Sequence, residues 1–127
     1  MSRWTHAAGI IRVEDYGLLG TWQEGEARKE NGELDIIAML GDIPRGSKGP
    51  LEVEVWTNPD KHYIVTHTVS IFGDLRDYED ISAIIIWFQT ACRKLSVRNA
   101  VITVHNEDYI ASWTYGMDDF WEEGHVD

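Results

Sequence analysis

Residues 81 to 95 read Ile-Ser-Ala-Ile-Ile-Ile-Trp-Phe-Gln-Thr-Ala-Cys-Arg-Lys-Leu. Ile81, Ile84, Ile85, Phe88, Cys92 and Leu95 recur at intervals of three and four, which predicts an amphipathic helix of about five turns. Asp77 is its expected N-cap, with a carboxylate able to accept from the first free amides. Ala83, Ile86 and Trp87 fall off the apolar stripe, so Ile86 and Trp87 are expected either in an interface or beneath a neighbouring loop. Such a helix must bury its stripe, and the segments around it alternate with period two, as strands do.

Working outward, His62 to Phe72 reads as a strand with Tyr63, Val65, His67, Val69 and Ile71 on one face. Leu51 to Thr57 reads as its hairpin partner across Asn58-Pro59-Asp60, burying Leu51, Val53 and Val55 and exposing Glu52, Glu54 and Trp56. Phe72-Gly73-Asp74-Leu75-Arg76-Asp77-Tyr78 reads as a turn in which Gly73 releases the strand and Asp74 and Arg76 stand exposed for a partner. Beyond the helix, Val97 to His105 buries Ala100, Ile102 and Val104, and Tyr109 to Tyr115 returns beside it. Thr5 to Glu14 is the first strand. Residues 16 to 50 form an irregular insert, rich in glycine and charge, with a short helix over Leu34 to Leu40 and a loop at Pro44 to Pro50. The expected architecture is α+β: a ferredoxin-like sandwich whose antiparallel sheet of four to five strands carries one long and one short helix on one face. One domain is expected over residues 1–116, followed by an acidic aromatic segment, 117–127.

The chain has 127 residues with 22 Asp plus Glu against 11 Lys plus Arg, a net charge of −11. That charge repels phosphate backbones, so direct nucleic-acid binding is not expected. No apolar run reaches the length of a membrane span and the start lacks a secretory h-region; with one cysteine, Cys92, this points to the cytoplasm. The acidity is uneven. After Arg98 there is no Lys or Arg, and Asp118, Asp119, Glu122 and Glu123 flank Phe120 and Trp121. This end is expected either to fold back through its aromatics or to dock a basic partner.

The open sheet face should collect Arg12, Glu54, Trp56, Thr66, Thr68, Thr103 and His105. An indole for stacking beside hydroxyls, an imidazole and a guanidinium is the mixture that recognises a nucleotide, although a polar outer face or a homodimer anchored by Trp56 accounts for the same residues. The five histidines match no metal-ligand spacing, so no metal or other cofactor is expected. Cys92 lies on the buried stripe, where a thiolate is disfavoured. Arg45-Gly46-Ser47-Lys48-Gly49 lacks the spacing of a phosphate-binding loop.

Arg3-Trp4-Thr5-His6, Gly9-Ile10-Ile11-Arg12-Val13, Ile71 to Tyr78, Trp87-Phe88 and Val97 to Val104 together resemble a family of small phage and prophage proteins of uncharacterised function. The resemblance implies a phage accessory protein in the host bacterial cytoplasm, similar to inhibitors of host defence such as anti-CRISPR proteins or sponges for nucleotide immune signals. The expected function is thus a non-enzymatic binding protein that antagonises a bacterial defence system, by blocking a protein channel or by sequestering a nucleotide. In the first case Asp118, Asp119, Trp121, Glu122 and Glu123 carry the contact, and in the second Arg12, Trp56 and His105 do, with a homo-oligomer holding the ligand between subunits. The alternatives are a small phosphodiesterase using His105, His67 or Glu54, and a virion or morphogenesis protein.

Overall fold

The computed structural model describes residues 3–16, 25–59, 64–78 and 80–124. Its elements in chain order are β1 (Trp4–Asp15), α1 (Ile36–Leu40), β2 (Arg45–Gly46), β3 (Gly49–Pro50), β4 (Glu52–Thr57), β5 (Val65–Arg76), α2 (Ile81–Lys94), β6 (Val97–His105), β7 (Tyr109–Thr114) and β8 (Trp121–Gly124). Six strands form one antiparallel sheet in the order β4-β5-β1-β6-β7-β8, and β2 and β3 make a separate two-residue hairpin. His62, Tyr63 and Asp60, read from the sequence as strand and turn, lie outside the described residues, as do residues 17–24 of the insert and 125–127 of the tail.

Alternation makes the sheet two-faced. Thr5, Ala7, Gly9, Ile11, Val13 and Asp15 of β1 point to the helix side, as do Val69, Ile71 and Leu75 of β5 and Ala100, Ile102 and Val104 of β6. On that side α2 lays Ile81, Ile84, Ile85, Phe88, Ala91 and Cys92. Phe88 is fully buried, and an added Cβ on Gly9 would stand 3.1 Å from its ring edge and 3.1 Å from the Val101 carbonyl oxygen. Gly9 is therefore the notch that lets the helix settle on the central strand. Phe88 also meets Trp113 of β7 edge to face, ring centroids 5.8 Å apart.

The insert is ordered where it crosses the sheet. Arg28, almost wholly buried, bonds Asp15 at 2.7 Å and also Glu26, and the second oxygen of Asp15 accepts from the Leu34 amide at 3.3 Å. Burial alone would lower the Arg28 pKa, but the bonds to Asp15 and Glu26 outweigh it and hold the cation in place. Trp87 donates its indole N–H to the Leu40 carbonyl at 2.9 Å, tying α2 to α1.

The ferredoxin-like sandwich does not form. Among the described residues strand accounts for half and helix for 18%, and the main sheet has six strands where four to five were expected. Three local causes combine. Asp35 caps α1 and the Gly41 amide returns to Ala38 after one turn, so the described part of the insert supplies only a five-residue helix. Gly73 does not release its strand: at φ +146° it stays paired with Ala7, and β5 runs on to Arg76. Trp121 to Gly124 then adds the sixth strand against β7.

The cap of α2 is likewise Asp80, whose carboxylate accepts from the Ala83 amide at 3.2 Å. Asp77 instead takes a left-handed φ of 60°, held by its amide on Arg3 and its carboxylate on the Ser47 hydroxyl. Val55 is exposed rather than buried, and an open cleft lies between it and Ile36 and Ile37 of α1.

Gly9→Ala is expected to destabilise the fold by about 1–3 kcal/mol, since the methyl overpacks both a buried ring and a backbone oxygen. Urea unfolding measures this, and an unchanged midpoint would contradict the notch.

Candidate functional site

With the helices on one side, the other side of the sheet is open, and the strand registers arrange it in rows. Trp56, Thr68, Arg12 and Asn99 form the first row, across β4, β5, β1 and β6. Glu54, Ser70, Ile10, Val101 and Thr114 form the second, and Glu52, Phe72, Ala8, Thr103, Ser112 and Trp121 the third. Asp74, His6, His105, Ile110 and Glu123 form the fourth.

All seven residues expected on the ligand platform, Arg12, Glu54, Trp56, Thr66, Thr68, Thr103 and His105, share this face, and Thr66 stands opposite Glu14 at its margin. The platform they outline has a different centre from the one expected. Ile10, Phe72 and Val101 are 46%, 40% and 44% exposed and, with Ala8, Ser70 and Thr103, line an open depression of ≈ 300 Å³. Trp56 is 57% exposed in the first row. Strand spacing puts its backbone about 10 Å from that of Arg12, with Thr68 between them.

Ile10, Phe72 and Val101 had a signal in the sequence. Ile10-Ile11, Ile71-Phe72 and Ala100-Val101-Ile102 are unbroken apolar runs within strands, and such runs place apolar groups on both faces. A β-bulge between Arg12 and Val13 opposite β6 sharpens the twist at the Arg12 corner, where Arg98 and Glu14 approach to 3.6 Å.

The polar groups at the far end are already engaged. His6 Nδ1 and Asp74 Oδ1 are 2.5 Å apart, and the His6 ring lies against His105 with centroids 4.8 Å apart. Arg76 has its guanidinium 3.9 Å from Asp77. Ile86 and Trp87 belong to the helix layer, so they form no common site with Asp74 and Arg76; Ile86 is exposed there, and Trp87 is bonded to Leu40 of α1.

The C-terminal residues fold back. Phe120 packs on the core, Trp121 lies half-exposed on the open face beside Ser112, and Asp118, Asp119, Glu122 and Glu123 line the β8 edge. Among the described residues no Lys, Arg or His pairs with these four acids.

The groups suggested for phosphodiester hydrolysis do not converge. His67 is buried on the helix side, its Nδ1 2.9 Å from the Thr57 hydroxyl, whereas His105 and Glu54 stand on the open face, three strands and two rows apart. Among the described residues no three His, Cys, Asp or Glu side chains gather as metal ligands, and no helix is long and apolar enough to cross a membrane. A second cleft, ≈ 330 Å³, lies between α2 and the end of β7, lined by Gln89, Arg93, Trp113, Tyr115 and Met117. Cys92 borders it but is buried, and desolvation pushes its pKa up to about 12, which leaves it no nucleophile at neutral pH. No family model, no curated protein and no solved structure matches the chain.

The raised Cys92 pKa has a definite sign. An unfolded thiol ionises near its ordinary 9.0 while the folded one keeps its proton to about 12, so between these values the unfolded state holds fewer protons and stability falls with rising pH. Chemical unfolding at stepped pH should show this decline, smaller in Cys92→Ala. Superimposable pH profiles would contradict the buried thiol.

Proposed function

We propose that the chain is a phage-encoded, non-enzymatic binding protein that antagonises a bacterial defence component in the host cytoplasm by laying the acidic edge of its sheet into a basic, nucleic-acid-binding channel. The observation that carries the reading is the ordered β8 edge. Glu122 and Glu123 sit on a paired strand, Asp118 and Asp119 on the turn that leads into it, and all four are exposed. Carboxylates held by a sheet lose less freedom on binding than those of a loose tail, and they steer a basic surface toward themselves over a Debye length. The resemblance to small phage proteins and the absence of a convergent catalytic set among the described residues favour the same class.

A second reading rests on the first row of the open face. There Trp56 could stack a base while Arg12, two strands away, takes a phosphate, so the protein would sequester a nucleotide signal. Nucleotide released from the denatured protein and identified by chromatography distinguishes this reading.

The test is phage plating on bacteria that carry a panel of defence systems. Expression of the wild-type chain should restore plating against one of them. The variant Asp118→Asn/Asp119→Asn/Glu122→Gln/Glu123→Gln, with unchanged thermal stability, should restore it at least about tenfold less, the equivalent of 1.4 kcal/mol of lost binding. Equal rescue by this variant, or no rescue by the wild type across the panel, would overturn the reading.

A further inference from the structure

We infer that the open face of the sheet is covered by a second copy of this chain, in a twofold dimer packed sheet on sheet. The inference does not rest on the acidic-edge reading, because the contacts that carry it are made by β5, β1 and β6, while Trp121 and Glu123 of β8 lie at the rim of the face. Three observations carry it.

The first is chemical. A solvated antiparallel sheet normally turns polar residues to water, yet the centre of this face is Ile10, Phe72 and Val101, each about 40% exposed or more, with Trp56 beside them.

The second is the order of the rows, which is self-complementary. A twofold axis across the strands, between the second and third rows, sets each strand antiparallel to its own copy. Ile10 then faces Ala8 of the partner subunit, Phe72 faces Ser70 of the partner subunit, and Val101 faces Thr103 of the partner subunit. On β1 and β5 large side chains meet small ones, the alternation by which facing layers interdigitate, and on β6 the nearly isosteric Val101 and Thr103 meet.

The third is charge. The same axis carries Arg12 onto the His6 and Asp74 pair of the partner subunit. Arg12 is exposed and has no carboxylate partner among the described residues, while Asp74 is an exposed carboxylate. An isologous interface makes such a contact twice, once at each end of the apolar centre. Glu52 and Glu54 come opposite each other only on β4, at the solvent-exposed rim, where the twist of aligned sheets splays them apart and repulsion is screened.

The area is sufficient. Four rows over five strands span about 20 by 20 Å, and with side-chain relief two copies together bury on the order of 1,200 Å², enough for a specific interface.

Sedimentation equilibrium of the purified chain tests this. At about 100 µM the wild type should run at twice the 14.6 kDa chain mass. Ile10→Lys, an exposed position that leaves the core untouched, should be a folded monomer at the same concentration. Arg12→Asp should weaken association at least about tenfold, and Arg12→Asp/Asp74→Arg should recover most of it, a rescue that a merely local role of either residue would not give. A wild-type monomer, a dimer indifferent to Ile10→Lys, or no recovery in the double variant would each overturn the proposal. The four-acid β8 variant should dimerise as the wild type does, so failure of the dimer and failure of the acidic-edge reading are separate results.

Discussion

The seat of Phe88 over Gly9 is the contact on which the rest of the structure depends. It seats α2 against β1 at Gly9, with Ile84 and Ile85 fully buried in the same core and the Phe88 ring reaching Trp113 on β7. A bulkier residue at position 9 would lift the helix off the strand and loosen contacts on both sides of it.

The same seat limits what the helix can do. A helix with its side chains is about 10–12 Å across, which covers two or three strands at their spacing of about 4.8 Å. Six strands therefore exceed one helix. On the β4 side the deficit is made up by the insert, clamped through Arg28 to Asp15 and through Leu40 to Trp87. On the β7 side it is left as a cleft, and Cys92 remains buried at its margin. Among the described residues no helix lies on the opposite face, and its apolar centre stays exposed.

What was legible in the sequence followed periodicity. The helical stripe from Ile81, the strand over Val97 to His105 and the assignment of Arg12, Glu54, Trp56, Thr66, Thr68, Thr103 and His105 to one face all rest on alternation or helical spacing, which read side-chain direction directly. What failed depended on partners distant in sequence. Asp77 has the right chemistry for a cap, but Arg3 and Ser47 hold it in a turn, and Asp80 caps instead. Gly73 looks like a strand end until its pairing with Ala7 is known. The tail had too short an alternation to announce a strand, so the sheet was read with fewer strands than it has and the ferredoxin-like layer of helices was expected above it. The apolar centre of the open face was missed for another reason: Phe72 reads as the start of a turn, and only the cross-strand register brings it and Ile10 together with Val101.

The central claim is that the sheet has one face that holds the fold and another that does not. Ile10 and Ile11 are neighbours on β1 that point to opposite faces, so paired unfolding measurements on Ile10→Ala and Ile11→Ala, at a concentration of about 1 µM or below where self-association contributes little, test it most directly. A one-sided core requires Ile11→Ala to cost about 2–5 kcal/mol and Ile10→Ala about 0.5 kcal/mol or less. Equal losses at the two positions would mean that both faces are buried within a single chain, and would contradict it.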